Sequence, residues 1–173
     1  MAGKNRNAFQ SRWLGGALQL CPPVIAGSAF FVDNTNGANT NSGTHWDNAF
    51  STLNYAISKC TDDAGDVIYL APWHAETIED TGTASGTTTD ECVVDKDGIS
   101  IIGLGYGGNR PVFTLEGATD AAIVVLAAKQ VHISNIEIVS NLANVAAGIT
   151  LSATSDGSVI ENCILRDGGA ALE

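Results

Sequence analysis

The chain has 173 residues, 45% of them apolar, with 19 Gly, 4 Pro and 4 Cys, enough material for one domain with a real core. Its formal charge of −11 is unevenly placed. Lys4, Arg6 and Arg12 all precede the first acid, Asp33, which leaves an arm of +3 on a remainder of −14. Such a body repels nucleic acid and anionic membranes, and no run of about 18 apolar residues offers a membrane span.

Residues 1 to 28 lack sustained periodicity and alone bury too little to offset chain entropy, so their ordering is expected to come from a partner surface, with folding back over the chain's own domain the lesser reading. The stretch WLGGALQLCPPVIAGSA has the outline of a leader, but Gln19, Pro22 and Pro23 interrupt it, and a secreted protein is the lesser reading. The arm is read instead as an anchor, with Lys4, Arg6, Arg12, Trp13 and Leu14 meeting an acidic protein surface.

Ala29 to Val32 read as a short strand, and DNTNGANTNSG at 33 to 43 as a loop of Asx turns. Asp33 is its one carboxylate, and its spacing is not that of a calcium loop. Phe50, Leu53, Ala56 and Ile57 then share a helical face, predicting a helix over about 47–59 with Asp47 or Ser51 as N-cap. DVIYLAP at 66 to 72 is a buried strand ended by Pro72, and residues 80 to 92 are a Thr and Gly loop.

A repeat follows. Val131, Ile133, Ile136 and Ile138 recur 27 positions later as Ser158, Ile160, Cys163 and Leu165, and IVVL at 123 to 126 recurs as ITLS at 149 to 152. Each copy alternates inside and outside, slips by one polar residue and alternates again, which is two strands meeting at a tight corner. Asn135 and Asn162 hold that corner, and stacked asparagines can bond both the backbone and each other, so the pair is read as a structural ladder. Ile99, Ile101, Leu104 and Tyr106 repeat the pattern 32 residues ahead, with Gly103 at the corner and the extra length in a loop. Three short strands per 26 or 27 residues make a coil, and a parallel β-helix stacks such coils, so the fold class is all-β.

FFVDNTNG, the Asn and Gly loop, Trp46, Ala49, Phe50, Thr52, Leu53, Ala56, Ile57 and GDVIYLAP resemble the opening of pectate-lyase-like right-handed β-helix proteins. APWHAETI and GISIIGLGYGGNRPVF more narrowly resemble small β-helix proteins of tailed-phage virions. The resemblance spans about residues 29 to 169. It implies a short right-handed parallel β-helix over 29–173, with a capping helix and an extended arm over 1–28. Where many relatives have Pro-Gly and then Tyr, this chain has Pro72, Trp73 and His74, so no residue role is carried over there.

Chemistry finds little purchase in the sequence. Gly103, Gly105 and Gly108 have dinucleotide-loop spacing, but they run into a proline and a strand rather than opening a helix. Lyases and glycosidases on this scaffold need acids facing a groove, whereas IVVL and ITLS carry none, Glu137 and Glu161 flank the corner, and most other acids sit in turns. His74 and Glu76 are the best isolated acid and base pair, without a nucleophile. Cys21, Cys60, Cys92 and Cys163 are scattered and read as reduced thiols, with Cys163 inward and a Cys60–Cys92 disulfide the lesser case. No catalytic residue, cofactor or metal site is therefore assigned.

Three to four coils form a stack only about 15 to 20 Å tall, with open strand edges after Arg166 that meet a neighbour or further chain. The reading that results is a non-enzymatic phage virion protein, a capsid decoration, cement or head-fibre protein. Its expected partner is the major capsid protein or another virion protein, and it is expected to trimerise about the stack axis. The alternative is a tailspike or tail-fibre fragment that binds or cleaves host polysaccharide.

Overall fold

The computed structural model describes residues 27–79, 92–116, 123–125, 128–140 and 147–168. Among these the protein is all-β, with one α-helix, α1 (Leu53–Lys59), and single 3-10 turns at Trp46–Asn48 and Gly107–Asn109. The first three strands are β1 (Ala29–Val32), β2 (Val67–Leu70) and β3 (Ala75–Glu79). There follow β4 (Cys92–Val94), β5 (Ser100–Gly103), β6 (Val112–Glu116) and β7 (Ile123–Val125). The remainder are β8 (His132–Ser134), β9 (Glu137–Ser140), β10 (Ile149–Leu151), β11 (Val159–Glu161) and β12 (Ile164–Asp167).

They form three sheets, ordered β1-β2-β5-β8-β11, β12-β9-β6-β3 and β10-β7-β4. Every pairing is parallel. From β2 onward the chain visits the five-, four- and three-stranded sheets in fixed order and adds one strand to each on every pass. Register makes like side chains stack: Ile68, Ile101, Ile133 and Ile160 form one row, and Phe113, Ile138 and Leu165 another. These rows point inward, so Ile68, Ile101, Ile133 and Phe113 are fully buried in a single core with Val94, Leu115 and Ile136.

α1 begins later than its apolar spacing predicts. Phe50 is drawn into the sheet instead, bridging Val32, donating its N–H to the Phe31 carbonyl at 2.9 Å and accepting from Asp33 N–H at 2.9 Å. The helix therefore starts at Leu53, and its N-cap is Thr52, whose hydroxyl accepts from Tyr55 N–H, rather than Asp47 or Ser51. Leu53, Ala56 and Ile57 are buried against the first strands, as their spacing predicts. The loop after β1 is an Asx turn, with Asp33 Oδ1 accepting from Thr35 and Asn36 N–H.

The circuit before the repeat also differs from its sequence reading. Ile101 does stack on Ile133, 32 residues on, but residues 104–110 are inserted at the corner itself. Phe113, not Tyr106, occupies the inward slot beside Ile138, and Tyr106 is left in solvent.

Candidate functional site

The polar residues that sequence reasoning put forward are taken up by structure. His74 is buried, and its Nδ1 accepts the Asn34 N–H at 3.0 Å. A donor facing Nδ1 leaves that nitrogen its lone pair and puts the proton on Nε2, which donates to Glu76 Oε2 at 3.1 Å. Glu76 is an inward residue of β3, as is Ile78, and is paired in register with Phe113; its Oε2 also accepts the Leu53 N–H at 2.9 Å. The pair thus joins the Asx loop, the first turn of α1 and β3. Asp66 does the same at the other end of the helix, with Oδ1 accepting from Ser28 N–H and Oδ2 from Thr61 N–H.

Asp33 is partly desolvated, which raises its carboxyl pKa, but the Asn36 amide and the Thr35 and Asn36 N–H groups outweigh this and hold it below the usual value. Farther along the stack, Glu137 pairs with Arg166 and Glu161 with His132. Asp97 accepts from Lys129 N–H and donates its own N–H to Asp62. No group of three or more metal-ligating side chains occurs among the described residues.

Asn135 and Asn162 stand at the same corner of successive circuits, both with positive φ, 58° and 53°. Asn162 Nδ2 donates to Asn135 Oδ1 at 3.0 Å, and Asn135 Nδ2 donates to the carbonyls of Gly103 and Gly105 at 2.7 and 3.0 Å. Gly103, in register with this corner, has no room for a side chain, because a Cβ there would strike the Asn135 carbonyl. Buried Arg110 reaches across the corner from the inserted segment, its Nη1 donating to the Asn162 carbonyl at 2.7 Å.

Cys60, Cys92 and Cys163 are free thiols. Burial pushes the Cys60 thiol up to about 12, with the Asp66 charge adding to it, and burial drives Cys92 well above its usual value, with Glu76 adding. Both groups favour the protonated form when folded. The stability they contribute is present below the unfolded thiol value of about 8.5 and is lost as pH rises beyond it. Melting temperature should therefore fall between about pH 8.5 and 11 and fall less in a Cys60→Ala, Cys92→Ala variant. Equal slopes for the two proteins would show that these thiols are not the cause.

Lys4, Arg6, Arg12, Trp13 and Leu14 lie outside the described residues. Sequence reasoning missed two surface aromatics, Trp73 and Tyr106, which are 67% and 86% exposed on the corners of adjacent circuits. The departure from Pro-Gly at Pro72–Trp73 was the signal for the first; periodicity hid the second by giving it an inward role.

No family model matches the sequence, and no curated protein matches it. Among solved structures the chain is similar to a rhamnogalacturonan lyase, at 20% identity and a TM-score of 0.49, over 65% of this chain. The matched part spans 29% of that protein's length.

Proposed function

We propose that the protein is a short parallel β-helix serving as a non-enzymatic virion structural protein, held to a capsid or other virion protein through its basic arm. The cyclic order of sheets supports the β-helix, and parallel crossovers of this kind are right-handed almost without exception. One observation carries the assembly role. Leu151, Ile160 and Leu165 continue the inward rows of the stack, yet they are 45%, 38% and 58% exposed, whereas Ile133 and Ile138 one circuit earlier are buried. A neighbour or further chain would cover a contiguous apolar face of this kind, and here it is assigned to a neighbour. In this reading a trimer about the stack axis presents three such faces to the virion protein, and the charge of the arm opposes that of the body, favouring an acidic receptor surface.

Deleting residues 2 to 26 should abolish co-sedimentation with particles while the circular dichroism melt of the body is retained, since Gly27 and Ser28 are bonded to Gly65, Asp66 and Val67 and belong to the body. Undiminished particle binding by the truncated protein would remove the anchor. Incubation with acidic polysaccharides and calcium separates the competing fibre reading, since release of unsaturated or reducing ends would replace the structural role with an enzymatic one.

A further inference from the structure

At the corner where the five-stranded sheet hands over to the four-stranded one, three circuits place a residue other than glycine at positive φ: Trp73 at 66°, Asn135 at 58° and Asn162 at 53°. Asparagine tolerates this region because its short amide bonds local backbone, but a bulky side chain there is strained. Trp73 gains little packing in return, being two-thirds exposed. Strain held without a packing reward points to a use for the side chain in solvent.

A second aromatic stands on the adjoining corner. The inserted segment 104–110 presents Tyr106, and the two corners are fastened together: Trp73 N–H donates to the Asn109 carbonyl at 2.9 Å, and Asn109 N–H to the Tyr106 carbonyl at 3.1 Å. Gly107 and Gly108, between Tyr106 and Asn109, are exposed, and a Cβ on either would meet nothing within 4 Å. Exposed Asn109 adds an amide. Trp73 and Tyr106 are the only exposed aromatics among the described residues.

We propose that the Trp73–Tyr106 corner binds a glycan, and specifically an uncharged one. An aromatic face packs against the C–H face of a pyranose, and neighbouring amides and carbonyls take up its hydroxyls, the usual mixture of apolar wall and a few polar groups at a ligand site. A protein anchor would want these rings inside an apolar surround that excludes water. Here their exposed chain neighbours are Pro72, Gly107, Gly108 and Asn109. The charge of −14 beyond the arm disfavours an acidic polymer, and Asp33 sits next to Asn34, whose N–H is bound by His74, the neighbour of Trp73. The site is independent of the structural role proposed above.

The full chain is titrated with neutral hexose and N-acetylhexosamine oligosaccharides by calorimetry, beside oligogalacturonate, together with the variants Trp73→Asn and Tyr106→Ala. Asparagine retains the corner backbone, as Asn135 and Asn162 show, so Trp73→Asn removes the indole without unfolding the turn. The expected result is saturable binding of a neutral saccharide, weakened about tenfold or more by either substitution at unchanged melting temperature. Binding of no neutral saccharide, undiminished binding by both variants, or preference for oligogalacturonate overturns the proposal. Loss of particle attachment in Trp73→Asn without any saccharide binding also overturns it and assigns the corner to a protein contact.

Discussion

Replacing Glu76 with alanine is expected to cost about 3 kcal/mol of stability, since two buried donors lose a charged acceptor at once. The residue occupies an inward slot, level with Phe113 on the next circuit, where an unpaired carboxylate could not persist. It persists because Oε2 takes the Leu53 N–H from the first turn of α1 and the Nε2 proton of His74, while Nδ1 of the same ring holds the Asn34 N–H. Alanine strands both donors in the core, 2.9 and 3.1 Å from where the oxygen was. For a chain of this size the melting temperature should fall by about 10 °C. Glu76→Gln keeps one oxygen acceptor and should lose only about 1 kcal/mol. Urea titration measures both, and hydrogen exchange at the Leu53 amide localises the effect. An alanine variant with the parent's urea midpoint would mean that water or a neighbouring group already satisfies these donors.

That cluster also marks the limit of what the residues alone disclose. His74 and Glu76 read as an isolated acid and base pair because the sequence does not show that α1 and the Asx loop deliver backbone donors to them. The helix start was hidden for a related reason. Phe50 has helical spacing to Leu53 and Ile57, but its bridge to Val32 supplies backbone bonds that a helical conformation would forgo. Tertiary pairing outweighed a weak local preference. The repeat, by contrast, was legible, because two circuits without insertions keep strict register: Ile133 lies on Ile160 and Ile138 on Leu165. One circuit earlier the same arithmetic failed beyond Gly103. Seven residues enter at the corner, and apolar spacing cannot say where in a glycine-rich stretch an insertion begins. Tyr106 was assigned inward on that count, although it is the most exposed of the large apolar side chains described.

The corner itself gives the other large effect. Asn135→Ala should lose about 3 to 4 kcal/mol, made up of the hydrogen bonds of one amide and the loss of asparagine's tolerance of positive φ, which alanine lacks. The amide gives both its protons, to Gly103 and Gly105, and its oxygen takes the proton of Asn162, so three successive circuits depend on it. Glycine at 135 removes the same bonds but is at ease with a φ of 58°. Asn135→Gly should accordingly cost about 2 kcal/mol, and the gap between the two variants measures the backbone strain separately from the ladder. Asn162→Ala should be milder, at about 1 to 2 kcal/mol, because its amide makes one of these contacts and stands nearer solvent. A double-mutant cycle on Asn135 and Asn162 should show a coupling of about 0.5 kcal/mol or more. Additive losses would show that the two amides act separately rather than as a ladder. The Gly105 carbonyl that Asn135 holds belongs to the segment that carries Tyr106, and the Gly103 carbonyl ends β5 just before it, so in Asn135→Gly the amides of residues 104–110 should exchange faster while those of β2 and the rest of β5 keep their protection. Uniform loss of protection across the stack would instead assign Asn135 to global stability alone and leave the aromatic corner to be held by Arg110 and the Trp73–Asn109 bond.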